Sequence, residues 1–324
     1  MRAPTGTQHH LRRETTTGLA TATITEIAAG LRSYAVNGID LVETFAEHST
    51  PPMAAGIVLA PWPNRIRDGA WTQNGVTRQL ALTEPARRNA SHGLLRFVPY
   101  SVVNQTADSI TLAATIFPQT GYPFHLETTV SYALTETGIE VTHGVQNVGQ
   151  DAAPYAVGAH PYLQIGGVPS SELTLTVNAA TRILVDERQN PVGQEAVTGT
   201  DFDLRAGRRV GELDLDTGYA DVSIVDGQSE HALTASDGRS VCLWGDANVR
   251  YVQVFTPTGF PAPGHALPGF EAGTIHQAVA IEPMTAPANA FNTGEGLHWV
   301  APGERWAVRW GIRHRGFPVQ AERP

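Results

Sequence analysis

Lysine is missing from this chain of 324 residues: its 22 basic residues are all arginine, set against 31 acidic ones for a formal net charge of −9. Without a lysine amine the chain cannot form a Schiff base with a carbonyl substrate or with pyridoxal phosphate, nor build a Walker-A phosphate loop. No basic run is longer than a pair, so the clustered positive charge that nucleic acids and anionic membranes select is absent as well. A neutral or weakly charged small molecule is the expected ligand. Cysteine is nearly absent too. Cys242, inside the apolar stretch Val241-Cys242-Leu243-Trp244, has no partner for an intramolecular disulfide or a CxxC metal pair, and is expected to be a packed core residue. No apolar run approaches the ~20 residues of a membrane helix, and the polar start MRAPTGTQHHLRRETTTG lacks the apolar core of a secretory signal. These absences lead us to expect a soluble cytoplasmic protein with no nucleic-acid or membrane partner; a monomer or homodimer is expected, though no residue pattern selects between them.

Helical periodicity is also nearly missing. Glycine (32) and proline (22) are frequent, together above the usual combined share of ~12%, which leaves room only for short elements. Between these breakers, apolar and polar residues alternate over 22–27, 109–116, 128–133, 139–145, 173–177 and 251–255, the period-2 pattern of half-buried strands. Asn37-Gly38, Asn74-Gly75, Asp68-Gly69, Asp226-Gly227 and Asp237-Gly238 tolerate the positive φ of type I′ turns and mark tight connections. Many strands joined by short turns predict an all-β protein, a large antiparallel sandwich. Residues 1–17 are expected to be a disordered lead-in, and 18–324 a single domain. The stretch 256–273 reads as pure loop, such as forms a binding-site wall.

Few residues carry a signal for chemistry. Most of the twelve histidines need no functional account; His9 and His10 fall in the lead-in, His48 in a turn, and His231, His265, His298 and His314 in polar or loop settings. His92 stands before Gly93, where backbone or ligand approaches closely. His160 is followed by Pro161, which fixes the chain, and by the aromatic Tyr162. Glu282 lies in Ala280-Ile281-Glu282-Pro283-Met284, a run that reads as buried strand, where an acid is costly unless paired or functional. Asp216 follows an alternating pattern that suits a solvated strand face equally well. Arg65, between rigid prolines and apolar neighbours, suits a fixed fork of donors or an exposed ion pair. Ser91 lacks a G-x-S-x-G elbow, the Gly166-Gly167 pair lacks a dinucleotide setting, and the scattered histidines and acids lack metal-ligand spacing. No metal and no cofactor is expected.

Seven strings in one order, PWPNRIRDGAWTQNG (61–75), ASHGLLRFVPY (90–100), GYPFHLETTVSYAL (121–134), AHPYLQIG (159–166), LDTGYADV (215–222), YVQVFT (251–256) and AIEPMTAPANAFNTG (280–294), resemble the aldose 1-epimerase (galactose mutarotase) family, in its bacterial branch, over about residues 20–313. The resemblance implies a β-supersandwich with a sugar cleft on one sheet. It implies that His160 acts on the ring oxygen, Glu282 on the anomeric hydroxyl and His92 near the ring oxygen as a second catalytic histidine. Asn64, Arg65, Asp216 and Gln253 become contacts to sugar hydroxyls, with Tyr162 beside them. Leu94, Ala159 and Leu163-Gln164 depart from the family pattern and bear on which hydroxyls are preferred.

Interconverting α and β anomers requires removal of the O1 proton and protonation of the ring oxygen, so a base and an acid on opposite sides of the C1–O5 bond suffice. The ligand is then a monosaccharide. Three other readings stay open at this level: a hexose-6-phosphate 1-epimerase, in which Arg96 and its neighbours clamp a phosphate, a non-catalytic sugar-binding module of the same fold, and a glycoside hydrolase using Asp216 and Glu282.

Overall fold

The computed structural model describes residues 2–261 and 274–317. Two large sheets dominate. One has nine strands in the order Ser101–Gln105, Ser109–Ile116, Leu126–Leu134, Gly138–Asn147, Arg305–Arg315, Ser240–Asp246, Gln228–Thr234, Thr174–Val177, Arg208–Arg209. The other runs Pro191–Ala196, Ala179–Val185, Asp216–Val222, Tyr251–Phe255, Val279–Met284, Gly158–Ala159, Val58–Leu59, with Tyr162–Leu163 also paired to Val279–Met284. Every ladder between these strands is antiparallel, as expected of an all-β sandwich. The sheets share one core: Val130, Val141, Leu243 and Ile312 of the first meet Val252, Val254, Val279 and Ile281 of the second in a single buried cluster. The one α-helix among the described residues is the four-residue Ala290–Thr293.

Alternation decides what each face carries. Along Leu126–Leu134 every second residue is buried, since successive side chains of a strand point to opposite faces. Val279–Met284 is buried on both faces. Val279 and Ile281 enter the main core, while Ala280 and Met284 belong to small clusters on the opposite side. Glu282 shares that second face, so the apolar run hides the floor of a cleft.

Four of the five two-residue signals turn with both residues at positive φ: Asn37 and Gly38 (52° and 75°), Asp68 and Gly69 (55° and 59°), Asn74 and Gly75 (50° and 76°), Asp226 and Gly227 (50° and 78°). At Asp237-Gly238 only the glycine is left-handed, at 88°, so this connection is not type I′. Cys242 is buried as expected.

Two expectations are corrected, and a third falls mostly outside the described residues. The lead-in is not disordered: Gln8–Thr15 is a strand paired in full register with Gly18–Thr25. Leu11 is buried in the main core, and the Glu26 carboxylate accepts hydrogen bonds from the Thr7 amide and hydroxyl. Its polar composition hides this because backbone bonds to a neighbour order an edge strand that buries little. His231 and His314, expected in polar surroundings, face inward from long strands and are buried. The 256–273 loop lies mostly outside the described residues, although its start, Phe260–Pro261, pairs with Ile275–His276.

Candidate active site

The second large sheet sets Glu282, Gln253 and Gly218 side by side, because Glu282 pairs with Gln253 and Gln253 with Gly218 across neighbouring strands. Gly218 supplies no side chain, and a Cβ there would lie 3.1 Å from the Gln253 side-chain oxygen, so the glycine makes room for Gln253. Asp216, two residues earlier on the same face, accepts a hydrogen bond from Gln253 Nε2 at 2.7 Å. Gln253 therefore stands behind Asp216 and orients it.

His160 arrives from the loop between Gly158–Ala159 and Tyr162–Leu163. Its backbone is tied on both sides, its amide donating to the Ile57 carbonyl and its carbonyl accepting from the Gly56 amide. His92 is delivered by a two-stranded ribbon, Arg65–Arg67 against Asn89–Ser91, and its amide donates to the Asn64 carbonyl at 2.8 Å. Asn64 and His92 are both left-handed, with φ of 54° and 61°. Gly93 follows at 73°, and a Cβ there would lie 2.1 Å from the Ala60 carbonyl oxygen. Only glycine lets the chain pass, so the requirement for glycine after His92 comes from the backbone.

These elements enclose a cleft of about 460 Å³, lined by His160, Glu282, His92, Asp216, Asn64, Arg65 and Arg96 among others. That size falls within the range of small-molecule pockets. At its floor His160 Nε2 lies 3.3 Å from Glu282 Oε1, both side chains being almost fully buried. The His92 ring meets the His160 ring edge-on at 5.6 Å. Burial, with the Asp216 charge adding and Arg65 opposing, raises the Glu282 carboxyl well above the usual carboxylate range. Burial lowers His160 to about 3 and also depresses His92, with His160, Arg96 and Arg65 pushing the same way. Burial thus disfavours the charged form of both groups, which favours the neutral arrangement of the pair with the proton on Glu282.

The wall contains a residue that the sequence pattern did not single out. Glu84 grips Arg65 with both oxygens, Nε at 2.8 Å and Nη2 at 3.1 Å, and takes a further bond from Arg87. Burial alone would raise its pKa, but bonds from Arg65, Arg87 and Asn89 hold it below the ordinary value. Glu84 stands in a short turn, Glu84-Pro85-Ala86, with no motif around it, so only its distance to Arg65 identifies it. Met53, Ala54, Thr83 and Phe255 also line the cleft without any sequence signal.

Arg96 is different from Arg65. Among the described residues no carboxylate forms an ion pair with it: Nη1 reaches the Ser91 carbonyl at 3.5 Å, and the guanidinium lies 4.7 Å from the Phe97 ring centroid. Tyr162 is not on the wall. Its ring stacks on His160 at 5.1 Å and its hydroxyl donates to the Met53 carbonyl at 3.1 Å. Tyr162 therefore packs against the histidine and does not line the cleft. Among the described residues no three histidines, cysteines or acids converge as metal ligands, and no helix is long and apolar enough to cross a membrane.

The profile of the family described as Aldose 1-epimerase matches residues 14–313. This chain belongs to the aldose 1-epimerase family. It is 33% identical to the uncharacterized protein YihR of Escherichia coli (strain K12) over 285 residues, 87% of this chain and 86% of that protein. The fold is that of the galactose mutarotase-like proteins. The GalM/aldose epimerase homologue from C. elegans superposes with a TM-score of 0.79 at 18% identity, covering 95% of this chain and 99% of that one. A galactose mutarotase-like protein from Clostridium acetobutylicum gives 0.78 at 16% identity, covering 96% and 98%.

Proposed function

We propose that this protein is a mutarotase, interconverting the α and β anomers of a free aldose, with Glu282 and His160 as its base and acid. The observation that carries the reading is the buried His160–Glu282 contact of 3.3 Å at the floor of a sugar-sized cleft, with burial favouring a neutral pair that carries its proton on Glu282. Ring opening needs that proton on the imidazole. An anomeric hydroxyl donating to Glu282 stabilises the carboxylate, as does Arg65, and a ring oxygen accepting from His160 stabilises the protonated ring, so substrate entry drives the proton from acid to imidazole.

Glu282 then removes the O1 proton, the C1=O double bond forms, and the C1–O5 bond pair leaves with O5, which takes the proton from His160. The aldehyde turns about C1–C2 and the steps reverse from the other face. Each proton returns to its origin, so no cofactor is consumed. Asp216, Asn64 and Arg65 hold ring hydroxyls, and His92 packs the ring-oxygen side. Polarimetry on freshly dissolved α-glucose, α-galactose, arabinose and xylose tests this: acceleration with at least one is expected, and none with any of the four rejects the neutral-aldose reading.

A second reading, a hexose bearing an anion at C6 such as hexose 6-phosphate, is favoured by Arg96. Arg65 and Arg87 are committed to Glu84, whereas Arg96 makes no ion pair with a carboxylate among the described residues. Its charge acts on His92 and His160, whereas Glu282 feels Arg65 instead. C6 is attached beside O5, so a cation on the histidine side lies where a C6 substituent projects. If Arg96→Ala leaves mutarotation of glucose 6-phosphate and of glucose unchanged, this reading is lost.

A further inference from the structure

The mechanism leaves a second buried acid–imidazole pair unused. Glu43 and His276 are 3% and 9% exposed, and His276 Nε2 lies 3.0 Å from Glu43 Oε1. Neither lines the cleft. A buried pair of this kind is weak evidence for stability, because desolvation of both groups offsets their attraction, so its position in the fold is the better guide to what it does.

That position is one end of a chain of packed rings. His276 meets the edge of Phe260 at 5.6 Å, Phe260 packs on Tyr162 at 4.7 Å, and Tyr162 stacks on His160 at 5.1 Å. The chain closes on itself, since the Glu43 amide donates to the Tyr162 carbonyl at 2.8 Å. Phe260 and Tyr162 belong to a small cluster, separate from the main core, that also holds Phe45, Ala55, Ala278 and Ala280. The general acid needs outside support because no other residue among those described bonds His160 Nδ1, and a histidine ring is ordinarily fixed by the bond its second nitrogen makes. Here the Tyr162 face and the His92 edge fix it instead. Apolar rings can slide over one another, whereas the Glu43–His276 contact joins two distant segments at one point.

We propose that Glu43 and His276 are positioning residues for the general acid, acting through Phe260 and Tyr162 to hold the His160 ring against Glu282. The proposal rests on the reading of His160 as the acid. Replacing both groups by leucine removes the pair without leaving either polar group orphaned, a change that buried pairs commonly tolerate.

In Glu43→Leu/His276→Leu we expect kcat to fall about ten- to a hundred-fold, as for a misplaced catalytic group, with KM little changed and the thermal midpoint retained. The His160 imidazole ¹⁵N resonances should shift. In a Tyr162→Leu background, His276→Leu should have little further effect on kcat, because the link is already broken. Unchanged kcat and unchanged His160 resonances in the double variant overturn the proposal, as do fully additive losses with Tyr162→Leu. Should the double variant not fold, His276→Gln is read by the same two measurements. If the parent itself accelerates no sugar, the mutarotase reading has failed, and movement or constancy of the His160 resonances still decides the positioning role.

Discussion

Replacing Glu282 with glutamine separates the chemistry of the site from its cost in stability. An amide cannot take the O1 proton, and loss of a general base costs about 10²–10⁴ in rate, or about 3–5 kcal/mol of transition-state stabilisation. The stability effect has the opposite sign. Glu282 is 2% exposed, and burial raises its carboxyl well above the reference value of 4.5. In the unfolded chain the acid ionises near 4.5; in the fold it stays protonated to higher pH, so folding takes up a proton between the two values. The stabilisation present below 4.5 is therefore lost as pH rises toward the folded pKa, at about 1.4 kcal/mol per pH unit. Glutamine does not titrate. The variant should gain on the parent steadily as pH rises from 4.5, whatever constant offset the new amide introduces. Urea unfolding from pH 4.5 to 8, paired with polarimetry, measures both effects. Parallel stability curves for the two proteins, or a rate loss below about tenfold, would refute the assignment of Glu282 as a buried, neutral acid that serves as base.

Other consequences are more local. Burial lowers His143 to about 3 and His231 to about 4, and each accepts a hydrogen bond, from the Trp310 indole and the Asn178 amide. Their contribution, full above pH 6.5, should be lost as pH falls toward those values, at up to about 1.4 kcal/mol per unit each, and His143→Gln should flatten that limb in urea unfolding. Gly93→Ala should cost at least about 2 kcal/mol, since the new Cβ meets the Ala60 backbone at 2.1 Å. Gly227→Ala, equally left-handed but with nothing within 4 Å, should cost only about 1–2 kcal/mol by thermal denaturation. Arg65→Lys retains charge but loses one of two bonds to Glu84, so thermal denaturation should show a loss of about 1 kcal/mol. The acid limb of kcat/KM should fall well below pH 6.5, because burial depresses His160; a limb near 6.5 would argue against a buried pair.

Much of this protein is legible without coordinates. The period-2 runs at 109–116, 139–145 and 251–255 lie on observed strands, because side-chain alternation is a local property. Asn37-Gly38 and Asn74-Gly75 turn as expected, because positive φ is a property of those residues. Glu282 declared itself by the cost of an acid in an apolar strand. Local rules failed where a partner supplies the order: Gln8–Thr15 is a strand only because Gly18–Thr25 lies beside it.

Sequence alone determined the all-β class, the exclusion of amine chemistry, and the residues whose types suit proton transfer. The tertiary structure decided which of them meet. It set His160 3.3 Å from Glu282, bound Arg65 to Glu84 and left Arg96 without an ion pair to a carboxylate among the described residues. It stacked Tyr162, expected beside the sugar, on the His160 ring. Alternation states which face a side chain takes, but not what lies opposite that face, and the pairing of buried charges depends on distances between segments far apart in the chain.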